Sequence, residues 1–181
     1  MSTLAEIQID RWNPASPGCA ADIQGLGDLL HACVQAGASV SFIQPFSPAD
    51  ASSFWNRKVL PAVKAGECRA LLARGLRGEI LGTVQLDLAT PPNQAHRAEV
   101  RKLLVHPTAR RQGIARALML AIECQARQAN RSLLTLDTVS GGFAERLYLS
   151  LGYVKSGVIP AYARRPDSPE LESTTILYKQ L

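Results

Sequence analysis

One short segment constrains the fold of this chain more than any other. The stretch Arg110-Arg111-Gln112-Gly113-Ile114-Ala115 lies between an apolar run that ends at Val105 and a stretch with helical periodicity. A helix start leaves backbone N–H groups without intrahelical partners and carries a partial positive charge. Because Gly113 has no side chain and Ala115 has only a methyl group, phosphate oxygens can approach those amides closely. The segment therefore predicts a phosphate-binding bend between a strand and a helix.

The spacing of apolar residues predicts a mixed α/β fold around this bend. Behind it, one core face recurs at helical spacing: Ile114, Ala117, Leu118, Ala121, Ile122 and Ala129. Strands predicted at Arg97 to Val105 and at Ser132 to Thr138 flank that helix, which indicates a parallel pair. Further strands are predicted at Glu6 to Trp12, Cys68 to Leu76, Glu79 to Leu88, Tyr153 to Ile159 and Thr174 to Lys179.

Three other segments have the pattern of helices: Ala21 to Ala36, Ser47 to Lys64 and Phe143 to Leu151. Gly25 and Gly27 weaken the first of these, and Pro61 is expected to break or kink the second. The short turn at Arg77-Gly78 predicts an antiparallel hairpin between the strands on either side of it.

Composition excludes several classes of protein. At 181 residues and 46% hydrophobic, the chain can bury one core, so we expect a single domain over residues 1–181. The net charge of +5 is spread along the chain, which predicts a mild preference for anions and no nucleic-acid partner. The four cysteines are far apart, which predicts neither a metal site nor a disulfide framework.

The termini and the apolar runs predict where the chain resides. Residues 1–6 lack the basic and apolar regions of a secretory signal, and no apolar stretch approaches the ~18 residues of a membrane span. We therefore expect a cytoplasmic protein with no membrane partner.

Three features in register resemble the GNAT superfamily of acetyl-CoA-dependent N-acetyltransferases: Val105-x-Pro107, the Gly113 bend, and Ala144-x-x-x-Tyr148-x-x-x-Gly152-Tyr153. The resemblance covers roughly residues 97 to 160. A narrower likeness, to the tabtoxin-resistance type of small-molecule acetyltransferase, depends on four short blocks: Gly37-Ala38-Ser39-Val40, Arg97-Ala98-Glu99-Val100, Leu136-Asp137-Thr138 and Pro160-x-Tyr162.

This resemblance implies a GNAT-like, mainly antiparallel sheet whose parallel strands splay apart to admit acetyl-CoA. Pantetheine would then pair with the backbone near Leu103, Leu104 and Val105. The pyrophosphate would be held by the bend and its neighbours, namely Arg110, Arg111, Gln112, Gly113, Ile114, Ala115 and Arg116. In one respect the chain differs from the family: many members have Asn where this chain has Gly141, so a side-chain contact to the cofactor is missing or replaced.

Two acidic residues are candidates for proton transfer. Amine acetylation needs a neutral amine, and an alkyl ammonium of pKa ~8 to 10 is mostly protonated at neutral pH. Glu99 lies within an apolar strand, and Asp137 follows an apolar run at the end of another. The alternative is structural: Glu99 and Asp137 could form salt bridges with Arg97, Arg101 or Lys102, or Asp137 could cap a turn.

Tyr148 is the candidate acid for the departing thiolate, because a phenol of pKa ~10 can protonate a thiolate of pKa ~8.5 held against it. Ala144, Leu147, Tyr148 and Leu151 also follow helical core spacing, so Tyr148 could instead be a packed aromatic residue. Oxyanion stabilisation is expected from a backbone N–H near Leu104 or Val105.

The leading hypothesis is direct acetyl transfer, without a covalent intermediate, to a small amine that is amino-acid-like or toxin-like. Phe42 to Trp55 and Pro160 to Arg165 are candidate walls for that substrate. The alternatives are a protein or peptide amine as acceptor, a non-catalytic acyl-CoA sensor and, ranked lowest, a nucleic-acid binder. The sequence leaves open whether the chain forms a homodimer.

Overall fold

The computed structural model describes residues 7–181, which form one seven-stranded mixed sheet in the order β1-β2-β3-β4-β5-β7-β6. The strands are β1 (Gln8–Arg11), β2 (Cys68–Arg74), β3 (Ile80–Asp87), β4 (Arg97–Val105), β5 (Leu133–Val139), β6 (Val154–Arg164) and β7 (Leu171–Gln180). The helices are α1 (Cys19–Gln35), α2 (Pro48–Phe54), α3 (Leu60–Lys64), α4 (Ile114–Gln128) and α5 (Phe143–Ser150). The beginning of the predicted first strand, at Glu6, lies outside the described residues.

The predicted fold class is confirmed. β4 and β5 are parallel neighbours joined through α4, and every other pair of adjacent strands is antiparallel. The predicted hairpin is β2–β3, and β1 lies at the edge of the sheet. Within residues 7–181, no helix has the length and apolarity needed to cross a membrane.

Helices cover both faces of the sheet and create two cores. On one face, α4 contributes the fully buried side chains of Leu118, Met119 and Ile122. On the other face, α1, α2 and α3 bury Trp12 and Trp55 against β2. β2 is therefore apolar on both sides, as expected for a strand in the middle of a layered α/β protein.

Two helix details differ from the sequence expectation. Gly27 does not disrupt α1; it faces Ser52 of α2, and an added Cβ would collide with that side chain. Pro61 does not end the second helix either. A single π turn at Trp55–Val59 precedes α3, and its wider hydrogen bonding accommodates the missing N–H of Pro61.

The strand predicted to end at Ile159 extends to Arg164. β6 is an edge strand, so Pro160 can lie in it without leaving an interior ladder bond unmade. The pairing of β6 with β7 shifts register between Ile159 and Ala163, where Ala161 has a φ of 49°. This bulge turns the end of the strand and brings Tyr162 to the wall of the cavity described below.

Candidate active site

The parallel strands β4 and β5 separate halfway along their length. They pair from Arg97↔Leu133 to Glu99↔Thr135 and no further, although β4 continues to Val105 and β5 to Val139. A cavity of about 800 Å³ opens between them. From Val100 onward, the edge of β4 that faces β5 has no strand partner among residues 7–181, so its backbone groups are available to a ligand. This is the splayed pair that the family resemblance implies.

A bulge shapes β4 where it lines the cavity. Thr83 pairs with Leu104 and Gln85 pairs with Arg101, so Val84 alone lies opposite both Lys102 and Leu103. Lys102 accordingly has a φ of 50°. Because of the extra residue, even-numbered side chains of β4 point to opposite sides of the sheet before and after the bulge. Ala98 and Val100 face the α4 core, but beyond the bulge Leu104 is buried in the α1 core instead.

The bend lies between a strand and a helix, as expected. Gly113 precedes α4 in the left-handed region (φ 80°), a conformation that the sequence analysis did not predict, and no side chain of the described residues caps the first turn of the helix. Its first N–H groups therefore remain free for an anion. Arg111, Gln112 and Gly113 are exposed.

Some of the predicted cofactor-binding residues line the cavity and others do not. Five of them line the cavity: Leu103, Leu104, Val105, Arg110 and Ala115. The Ile114 side chain is only 1% exposed and belongs to the core, which leaves its backbone N–H as the group that a phosphate could reach. Arg116 donates to Ser150 Oγ at 2.7 Å. Its guanidinium is therefore already engaged by α5 in this structure.

Both candidate acids line the cavity, and both are engaged by neighbours. Arg101 donates to Glu99 at 2.8 Å and also pairs with Asp87 at 2.7 Å. The hydroxyl of Thr174, on the adjacent strand β7, shares its one hydrogen between Asp137 Oδ2 at 3.0 Å and the Thr138 carbonyl at 2.9 Å. The salt bridge that sequence analysis left open for Glu99 therefore exists, with Arg101. It coexists with a position on the cavity wall.

Tyr148 also lines the cavity and is 6% exposed. Its ring packs against Tyr153, with the ring centroids 5.8 Å apart. Burial raises the pKa of Tyr148 well above its ordinary value, and the negative charge of Asp137 raises it further. The phenol therefore keeps its proton across the neutral range, as a proton donor must. The core packing expected as the alternative is present as well.

Gly141 has a φ of 75°, and its N–H donates to the Glu145 carboxylate. That hydrogen bond is the main reason why the pKa of Glu145 is lowered. The next three residues, Gly142, Phe143 and Ala144, line the cavity, whereas Gly141 does not. Left-handed backbone is the region in which Gly and Asn are the commonest residues, so the conformation suits either one.

Sequence analysis missed part of the acceptor side. The loop at residues 37–41 lines the cavity, whereas Phe42 and Phe54 lie behind it in the α1 core. Lys102 was considered only as an ion-pair partner, yet it contacts Ser41 and faces those two rings. One signal was present in the sequence. The apolar alternation of Ala98 and Val100 continues at Leu103 rather than at residue 102, which is the displacement that a bulge produces.

Comparison with known proteins assigns this architecture. Residues 67–155 match the family model of the acetyltransferase (GNAT) domain. This segment contains the splayed strands β4 and β5, the Gly113 bend and α5, and over it the chain is similar to GNAT acetyltransferases. An uncharacterized N-acetyltransferase from the hisH-hisA intergenic region of Azospirillum brasilense is 29% identical over 136 residues, which are 74% of this chain and 76% of that protein.

Solved structures agree on the fold. A GCN5-related N-acetyltransferase from Kribbella flavida superposes with a TM-score of 0.76 at 21% identity, over 97% of this chain and 98% of that one. The structure of yncA from Salmonella typhimurium with its cofactor acetyl-CoA has a TM-score of 0.76 at 16% identity, over 97% and 94%. Within residues 7–181, no three His, Cys, Asp or Glu side chains meet at metal-binding distance.

Proposed function

We propose that this protein transfers the acetyl group of acetyl-CoA directly to a small amine, within a single domain over residues 1–181. The observation that carries the proposal is the gap between β4 and β5. It has an unpaired strand edge along one wall, an uncapped helix start at one end, and two carboxylates and a phenol around it. These groups meet the needs of amine acylation: donor binding, proton removal and proton supply.

The gap fits acetyl-CoA chemically. Backbone groups from Leu103 to Val105 can pair with the amides of pantetheine as a missing strand would, and the free N–H groups at the start of α4 suit a pyrophosphate. Arg110, Arg111 and Arg116 add positive charge around it. A neighbour of the same fold, yncA, was solved with acetyl-CoA, which supports this assignment. When bound, acetyl-CoA supplies a thioester that reacts with a neutral amine.

The acidic residues and Tyr148 divide the proton transfers. We assign Glu99 and Asp137 to the acceptor ammonium: one carboxylate orients it and the other accepts its proton, directly or through water. As the C–N bond forms and the C–S bond of the thioester breaks, the Tyr148 hydroxyl gives its proton to the departing CoA thiolate, and its raised pKa keeps that hydroxyl protonated until then. A backbone N–H of Leu104 or Val105 stabilises the oxyanion. No residue of the chain is acylated in this scheme.

A compact acceptor, amino-acid-like or toxin-like, is favoured by the short blocks that resemble the tabtoxin-resistance type. Those blocks lie on one cavity. Ala38 to Val40, Glu99, Asp137 and Tyr162 all line it, although they come from four separate segments of the chain. A protein or peptide amine is the second candidate, and it would need the cavity mouth to admit a chain.

Thiol release tests the proposal directly. The protein is incubated with acetyl-CoA and a panel of amino acids, small amines and peptides, and free thiol is measured against an amine-free blank. Release with small amines supports the proposal, and release only with peptides favours the second candidate. Binding of acetyl-CoA without release from any amine favours the non-catalytic sensor. A folded protein that gives no calorimetric heat with acetyl-CoA would refute all three.

A further inference from the structure

The cavity wall carries three cations, and they differ in how they are neutralised. Arg101 is paired with both Glu99 and Asp87. Arg110 lies beside the Gly113 bend and donates to the Val105 carbonyl at 3.5 Å. Among residues 7–181, neither Arg110 nor Lys102 has a carboxylate within 4 Å of its charged group. Of these two, Lys102 lies on β4 with Glu99, on the side of the cavity that carries Glu99 and Asp137.

Lys102 is fixed in place without a counter-ion. Its ammonium donates to Ser41 Oγ at 3.1 Å and lies 5.8 Å and 5.9 Å from the ring centroids of Phe42 and Phe54. Contacts of this kind with ring faces favour a cation. The chain holds the ammonium at one place on the wall, although a lysine side chain has four flexible carbons.

Backbone strain occurs on both sides of this contact. Lys102 has a φ of 50° and Ser41 has a φ of 78°. Non-glycine residues rarely adopt this region, because Cβ then crowds the backbone. Two such residues from separate segments, joined by a hydrogen bond at a cavity, are the kind of strain that marks a ligand site.

The surroundings of the Lys102 ammonium favour the binding of an anion. The ammonium has three N–H donors, and Ser41 accepts from one of them. Burial lowers the pKa of Lys102, which means that its charged form lacks compensation in the free protein. Glu99 and Asp137 are near enough to act on it by charge, but Arg101 and Thr174 already engage them. A bound carboxylate would use the remaining donors and offset the cost of holding the charge away from water.

We propose that Lys102, held by Ser41, binds a carboxylate of the acceptor, so that the acceptor is an amino acid with its acid group free. This inference rests on the proposed function and narrows its substrate class. The amine of such a zwitterion would lie toward Glu99 and Asp137 while its carboxylate meets Lys102. Opposite charges at two fixed points would orient the amine for transfer.

Matched acceptors and matched variants test the anchor. Wild type, Lys102→Met and Lys102→Arg are assayed with L-amino acids and with their carboxamides, with rates expressed per free amine because the amide lowers the amine pKa. Lys58→Met is the control, since Lys58 is exposed on the π turn. We expect wild type to favour acids over amides by about 10- to 100-fold in kcat/KM, the range for one charge-assisted hydrogen bond.

The variants should separate charge from packing. Lys102→Met should abolish the preference for acids mainly by raising KM, while rates with amides change by less than about 3-fold. Lys102→Arg should keep most of the preference, and Lys58→Met all of it. If Lys102→Met folds poorly, Ser41→Ala should weaken the same preference. Equal rates with acids and amides in active wild type, or an unchanged preference in Lys102→Met, would overturn the anchor.

A binding measurement distinguishes the two proposals. The CoA-loaded wild type and Lys102→Met are titrated with N-acetyl amino acids and with their amides. Tighter binding of the acids by wild type alone supports the anchor. Acetyl transfer that does not depend on the carboxylate overturns the anchor and leaves the proposed function in place. Failure of the folded protein to bind acetyl-CoA at all overturns the proposed function and, with it, the anchor.

Discussion

The two sides of the cavity are built in different ways. The side that we assign to the donor uses consecutive residues, from the end of β4 to the start of α4, and presents mainly backbone groups. The acceptor side assembles side chains from the loop at residues 37–41, from β4, β5 and β7, and each of those side chains has a neighbour that fixes it. The donor side therefore depends mainly on the backbone conformation of the bend, whereas the acceptor side depends on the identity of particular residues.

The acceptor side should be the more sensitive to a single polar substitution. We expect Glu99→Gln to lower kcat by about 10²- to 10⁴-fold, the range for losing a general base. The affinity for acetyl-CoA should change by less than about 3-fold, because the carboxylate acts on the acceptor. Steady-state kinetics and calorimetry on one preparation measure the two quantities.

Asp87→Asn is the matched control for Glu99. Both acids pair with Arg101, but Asp87 is not part of the cavity wall. If Glu99 merely holds Arg101 in place, the two substitutions will cost a similar amount of activity. A large loss in Glu99→Gln alone supports proton transfer, and near wild-type turnover in Glu99→Gln removes it from the mechanism.

The donor side should instead be sensitive to substitutions that disturb the backbone conformation. Gly113→Val places a branched side chain in the left-handed region at the point where phosphate must approach. We expect acetyl-CoA affinity to fall by about 100-fold, equivalent to ~2.7 kcal/mol. Turnover at saturating acetyl-CoA should change far less, because the acids and Tyr148 are untouched.

Gly78→Val controls for the strain itself. Gly78 has a φ of 82° in the turn between β2 and β3 and has open space where a Cβ would be added. Both substitutions should lower the melting temperature by similar amounts, since each places valine in left-handed backbone. Only Gly113→Val should lose affinity; equal losses in both would mean that general destabilisation explains the effect.

Tyr148, on α5, tests whether a packed residue of the cavity wall also takes part in the chemistry. We expect Tyr148→Phe to lower kcat by about 10- to 100-fold through loss of the hydroxyl proton. Tyr153→Phe should have little effect, because Tyr153 stacks on the same ring without lining the cavity. A similar loss in both variants would assign Tyr148 to packing alone.

The pH profile adds a second test of Tyr148. Burial raises the pKa of Tyr148 above the ordinary tyrosine value of about 10. The protonated, active form therefore persists at every pH below about 10 and is lost only at higher pH. Wild-type kcat should therefore show no Tyr148-dependent decline below about pH 10. A decline between pH 8 and 9.5 that disappears in Tyr148→Phe would contradict the role of a high-pKa acid.

The same contrast explains what the sequence could predict. The bounds of β4 were predicted to the residue and those of α4 closely, because apolar periodicity and the glycine bend are local features. Glu99, Asp137 and Tyr148, which the family resemblance helped to select, all line one cavity. Their roles remain predictions, since the structure shows pairing for Glu99 and packing for Tyr148 as well as exposure to the cavity.

Other features depend on contacts between distant segments. The bulge that turns Lys102 toward Ser41 follows from the pairing of β4 with β3, and Ser41 is sixty-one residues away along the chain. The extension of β6 beyond Pro160 depends on its place at the sheet edge, which no local pattern reveals. The expected wall at Phe42 to Trp55 does not line the cavity, because Phe42, Phe46 and Phe54 pack into the α1 core; residues 37–41 line it instead.

A substitution at Gly141, next to the cavity-lining residues Gly142, Phe143 and Ala144, is expected to have the smallest effect. The φ of 75° at Gly141 is open to asparagine at modest cost, and no atom of the described residues lies within 4 Å of an added Cβ. If a contact to the cofactor is missing here, Gly141→Asn should raise acetyl-CoA affinity by about 3-fold, the value of one hydrogen bond near 0.7 kcal/mol. Gly141→Ala has the same strain without the amide and should show no gain. Calorimetry measures the three affinities. If wild type, Gly141→Asn and Gly141→Ala bind acetyl-CoA equally, backbone N–H groups of the neighbouring wall already replace the missing contact. Acetyl-CoA binding at this wall would then not depend on side chains.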